Sequence, residues 1–125
     1  MKRIILIILT SLIISSCNES PSCPDGYKYF SEVVSIKMEL IEKNVDIEEP
    51  FNGKTYASVR FFEEITKIKS RVKFGEISHY ENKVDFFSDK EKWLSWCREN
   101  KCLFLDEEIQ NIEKQIIKET PWINW

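Results

Sequence analysis

The residues best able to do chemistry in this 125-residue chain are four cysteines (Cys17, Cys23, Cys97 and Cys102), one histidine (His79) and 21 acidic side chains. A hydrolytic site needs a nucleophile, a base within hydrogen-bond reach and a group that orients the base. His79 is the only histidine, and no serine or cysteine stands in a pattern that assigns it a partner. Glu63-Glu64 and Glu107-Glu108 are sequence neighbours. On a helix such neighbours project about 100° apart, which does not converge them on one bond. A zinc site from Cys23, His79, Cys97 and Cys102 has suitable ligand types, but Cys97-x4-Cys102 is a loose spacing and an oxidising compartment would pair the thiols. The three glycines, at 26, 53 and 75, are too scattered for a phosphate-binding loop. No catalytic residue, metal ligand or cofactor is assigned, and the expectation is a protein that is not an enzyme.

Cys17 stands in a different setting. Lys2 and Arg3 precede Ile4 to Ile14, an apolar run broken only by Thr10 and Ser11. That run falls short of the about 20 residues a lasting membrane span takes. It ends in Ile14-Ser15-Ser16-Cys17: an aliphatic residue, two small ones and a cysteine. The arrangement resembles the lipobox of type II signal peptides, the mark of bacterial lipoproteins. The resemblance implies a diacylglyceryl group on the Cys17 sulfur, loss of residues 1–16 as signal peptide, and acylation of the new amine, as with palmitate. Two or three acyl chains anchor a protein near-permanently, because each buried methylene contributes about 0.8 kcal/mol. The implied location is membrane-anchored and extracytoplasmic. Asn18 is not the Asp of a known inner-membrane retention rule, so outer-membrane display is expected where the cell has two membranes.

Residues 17–25 read as a lipidated tether, since Asn18 to Asp25 is polar and rich in Pro and Ser. Residues 26–125 form one domain. A hydrophobic fraction of 42% and an aromatic fraction of 13% suffice for one small core but not two. Losing Lys2 and Arg3 with the leader takes the net charge from −3 to about −5. That argues against nucleic acid, which needs a clustered positive field. The partners expected are the membrane, through the lipid on Cys17, and another envelope protein.

Three thiols remain once Cys17 is lipidated, so one must stay free or pair elsewhere. Cys97 shares a helix face with Trp93 and Trp96 and should point into the core as a small hydrophobe. Cys102 lies beyond the Asn100 stop and is freer to turn outward. A Cys23–Cys102 bridge with Cys97 reduced is therefore expected, with Cys97–Cys102 as the local alternative.

The elements that position these residues read as helices. Phe30, Val34, Met38, Ile41 and Val45 recur at helical spacing from Tyr27 to about Lys43, with Tyr29, Val33, Ile36 and Leu40 as an adjoining stripe. Glu48-Glu49-Pro50 and Asn52-Gly53 signal a loop. Thr55 is read as the cap of a second helix bearing Tyr56, Val59, Phe61, Phe62 and Ile65. Ser88-Asp89-Lys90-Glu91 fits a capping box that opens a third helix to about Glu99, with Asn100 as a left-handed stop. Asp106 caps a fourth helix with Ile109, Ile112 and Ile116 in line, ended by Thr120-Pro121. Periodicity fails from Thr66 to Phe87, which reads as a long ordered loop with aromatic pins, or a short hairpin around Gly75. The fold class is mainly α, a small bundle of about four helices behind a cleaved signal peptide.

The run Phe61 to Ile68, followed by Trp93 to Lys101, resembles a pattern in small helical bacterial proteins without an assigned activity. The likeness implies helices there and no site residue. Two functional readings follow: a non-enzymatic protein-binding or structural module of the cell envelope, and a small envelope enzyme or enzyme subunit using the loop 67–87.

Overall fold

The computed structural model describes residues 23–123, so the signal peptide, Cys17, most of the tether and the last two residues lie outside the described part. Four helices follow in order: α1 (Tyr29–Asp46), α2 (Gly53–Thr66), α3 (Lys83–Glu99) and α4 (Asp106–Glu119). The chain is mainly α. Among the described residues the only β pairing is one antiparallel bridge, Lys73 with His79.

α1 and α2 form the central pair. α3 and α4 each pack on both of them and not on each other. The predicted stripe of α1 is buried throughout, at Phe30, Val34, Met38, Ile41 and Val45. In the adjoining stripe Val33 is buried but Ile36 is exposed. α2 touches all three other helices, which explains why Ala57, Ser58, Val59, Phe61, Phe62 and Ile65 are buried on nearly every side. From α3 the core takes Phe86, Trp93 and Cys97, and from α4 Ile109 and Ile116.

The helix starts correct three sequence expectations. Thr55 does not cap α2. Asn52 does, its side-chain oxygen accepting from the Thr55 amide at 2.8 Å. Ser88 does not open α3, which begins at Lys83 under the Asn82 side chain, acceptor from the Asp85 amide at 2.9 Å. The apolar run Val84 to Phe87 is therefore the first turn of α3 and not part of a loop or hairpin. Asp106 is the first residue of α4, not its cap. Its carboxylate accepts instead from the Tyr29 amide at 2.8 Å, and its own amide donates to the Gly26 carbonyl at 2.7 Å, joining the starts of α1 and α4. Gly26 can take part because its φ of +87° lies in the left-handed region that favours glycine. Asn100 does end α3, but with φ −121° it is not left-handed; its amide and side-chain nitrogen both donate to the Trp96 carbonyl.

Two ends of the bundle can be told apart. At one meet the starts of α1 and α4, the end of α3 and the Cys23–Cys102 disulfide. At the other meet the end of α1, the starts of α2 and α3 and the end of α4, where Gly53 sits against Ile123. α2 and α3 therefore start at the same end and run parallel. A chain leaving α2 must travel back along the bundle before α3 can begin, and residues 67–82 are that crossover.

Candidate functional site: a double cleft at the far end of the bundle

The crossover is pegged along its length. The Ser70 amide donates to Glu63 at 2.8 Å and the Arg71 amide to the buried Asp89 at 2.7 Å. The Trp93 indole donates to the Ile68 carbonyl at 3.0 Å, and the Tyr80 hydroxyl reaches Asp89 at 2.8 Å. Burial is the largest influence on Asp89 and pushes its carboxyl above the ordinary range, while the Arg71 amide and the Tyr80 hydroxyl pull it back. Tyr80 is held well above its ordinary value, first by burial and then by the Asp89 charge.

Past these pegs the Lys73–His79 bridge closes a tip, Phe74 to Ser78, over the turn that follows α1. The Phe51 amide donates to the Ser78 carbonyl at 2.8 Å. That turn is fixed from beneath by buried Asn44, whose amide nitrogen donates to the Glu49 and Pro50 carbonyls and whose oxygen accepts from the Asn52 amide. Every polar group of this buried side chain has a partner, as a low-dielectric setting requires.

Two open clefts lie on either side of the ridge made by Pro50, Phe51 and Ile77. The first, of about 500 Å³, runs between Val45 and Lys83 over Tyr80, rimmed by Glu48, Glu49, His79 and Glu81. The second, of about 530 Å³, is walled by Tyr56, Phe74, Trp122 and Ile123, with Glu76 at its edge. Ile77 is 60% exposed, Phe74 46% and Trp122 71%, so the ridge and the second wall offer large apolar groups to solvent. Tyr56 and Phe74 meet edge to face, 5.8 Å between centroids. Glu48 pairs with Lys83 at 3.8 Å and Glu81 with Lys73 at 3.9 Å, whereas Glu49 and Glu76 have no basic partner among the described residues. The surface is aromatic and apolar with an acidic rim.

Apart from Cys23 and Cys102, the residues singled out from the sequence for chemistry are not brought together into one site. Cys23 and Cys102 are bonded to each other at the opposite end, Cα atoms 5.3 Å apart. Cys97 is free and buried in the core, its thiol pushed up to about 12 by that burial. His79 lies exposed at the first cleft, Nδ1 3.5 Å from the Ile77 carbonyl, and forms no ion pair with a carboxylate among the described residues. Glu63 and Glu64 are engaged by Arg60 and Lys67. Glu108 accepts from the Leu105 amide. Trp93 stacks on Phe62 at 5.1 Å, wholly buried, and is a core residue rather than a ligand platform. No group of three metal-ligating side chains occurs among the described residues, and no described helix is long and apolar enough to cross a membrane.

The sequence reading missed Phe51, Ile77 and Trp122 as one surface, and Asn44 and Asp89 as the polar pegs beneath it. The signal that was present is the clustering of aromatic and apolar residues in segments without periodicity, next to Pro50, Gly75 and Pro121. No protein-family model matches the chain, and no match was found among curated proteins or solved structures.

Proposed function

We propose that the chain is a lipoprotein of the bacterial cell envelope, anchored through acylated Cys17, whose helical domain is a non-enzymatic module that binds another envelope protein at the double cleft. The observation that carries this reading is the separation of attachment from surface. The chain enters the domain at Cys23, beside the start of α1, while the cleft lies past its end. The 18 residues of α1 put about 27 Å between them. A domain tethered at one end and apolar at the other presents its exposed aromatics away from the anchor.

Two further facts support it. A disulfide is at home in an extracytoplasmic compartment. Large apolar side chains grouped in a cleft and rimmed by charge are typical of protein-docking sites, while isolated ones are ordinary surface. The acidic rim and the negative net charge favour a partner segment with basic side chains around an apolar anchor.

The test has two arms. Labelled palmitate should enter the parent and not Cys17→Ser; label persisting in that variant would refute the anchor. Crosslinking in intact envelope should trap a partner with the parent and lose it with Ile77→Asp, a change at an exposed position. A partner retained by that variant would refute the cleft.

A second reading, a small envelope enzyme, rests on His79 lying in the first cleft with Glu48, Glu49 and Glu81. His79→Ala separates the two. It would abolish turnover in an enzyme and leave partner capture by a binding module intact.

A further inference from the structure

The Cys23–Cys102 bond fastens the N-terminal segment to the link between α3 and α4, so the folded domain begins six residues after Cys17. Six residues reach at most about 20 Å when fully extended. If lipid holds Cys17, the link around Cys102 is kept within about 20 Å of the anchor point in every orientation of the domain. That same link exposes two large apolar side chains, Leu103 at 56% and Leu105 at 40%. Leu105 lies beside Gly26, with its Cδ2 3.8 Å from where a Cβ on that glycine would stand. The two leucines thus flank the point where the chain enters the domain.

We propose that Leu103 and Leu105 are a membrane-contact surface, seated in the headgroup boundary of the bilayer that holds Cys17, and that this contact stands the domain upright with the double cleft facing outward. The inference rests on the lipoprotein reading. Elsewhere on the molecule an exposed leucine needs no explanation. Here the tether changes the balance, because attachment through so few residues gives an effective concentration of roughly millimolar order, at which a contact too weak to bind free protein is populated. The charge around the link is mixed, with Lys28 and Lys101 beside Asp106 and Glu107. The contact is therefore apolar, and does not depend on anionic lipid.

Full-length, processed protein in phosphatidylcholine vesicles provides the test, with Leu103 replaced by a photoreactive diazirine analogue in one sample and Ile77 in another. Illumination should give lipid adducts at position 103 at least several-fold above those at position 77. Adding Leu105→Glu should reduce the adducts at 103, and replacing a fifth of the lipid by an anionic one should leave them unchanged. Equal yields at the two positions, or none at 103 in protein that carries palmitate on Cys17, would overturn the membrane contact and leave the lipoprotein reading standing. Protein without palmitate would overturn both.

Discussion

Replacing both bonded cysteines, Cys23→Ser with Cys102→Ser, should weaken the domain without changing its shape. The bond joins residues 79 apart. Closing a loop of that length removes denatured-state entropy equivalent to about 4 to 5 kcal/mol in the chain-entropy model. The folded state has little reason to change, because the same end of the bundle is also held by the Asp106 contacts to Gly26 and Tyr29 and by Phe104 against Phe30, 5.6 Å between centroids. The loss should therefore appear almost wholly as a better-populated unfolded chain. For small proteins with a urea slope of about 1 to 3 kcal/mol/M, it corresponds to a midpoint lowered by about 1.3 to 5 M, according to the slope measured. The slope itself should rise, since a chain without the crosslink exposes more surface when unfolded. Urea melts followed by far-UV circular dichroism, on the parent and the double variant, read both quantities. A midpoint within a few tenths of a molar of the parent, or a lower slope, would refute the reasoning. A parent reduced with dithiothreitol should match the variant.

Three other changes test the interior. Trp93→Ala removes a fully buried ring, its stack on Phe62 and its donor to Ile68, and should cost about 3 to 5 kcal/mol by calorimetry; an unchanged melting temperature would show that the stack contributes nothing. Thr55 is wholly buried and its hydroxyl finds no partner among the described residues, so Thr55→Val should be neutral or stabilise by about 1 kcal/mol, and a loss of more than that would show a hidden hydrogen bond. Asp89 gives a pH signature. Its carboxyl in the folded state sits above the unfolded value of about 3.9, so its contribution is full below that pH and fades as pH rises through the folded value. Relative to Asp89→Asn, the parent should therefore lose stability as the pH rises above about 3.9. A constant or opposite difference by urea melts at each pH would contradict the burial argument.

The four helices were legible because each carries apolar residues at helical spacing, and α1 is the clearest case, with its five predicted stripe residues all buried. Helix starts were less legible for a physical reason. Ser88 to Glu91 has the types of a capping box, yet in place Asp89 points into the protein to hold the Arg71 amide and Tyr80. A carboxylate on the buried face, with Val84 and Phe87 exposed on the other, hides the amphipathic pattern of the first turns of α3. Asn52 and Asn82, which do cap, read equally well as turn residues, because one side chain geometry serves both purposes.

The cleft was illegible as a site because it is assembled from Val45, Phe51, Tyr56, Ile77 and Trp122, which share no spacing and meet only when the helix ends converge. Its position, however, follows from the topology. α2 and α3 start at the same end, so the crossover between them must turn back at that end, and its tip can land nowhere else. α1 and α4 run the other way, so the turn after α1 and the segment after α4 arrive there as well. Three segments without helical constraint are thus gathered at one end, while the opposite end is left with the start of the domain and the short Asn100 to Leu105 link, joined by the disulfide. A parallel α2–α3 pair makes that division unavoidable. The loop-rich end is free to vary its side chains for recognition, and the stapled end suits attachment.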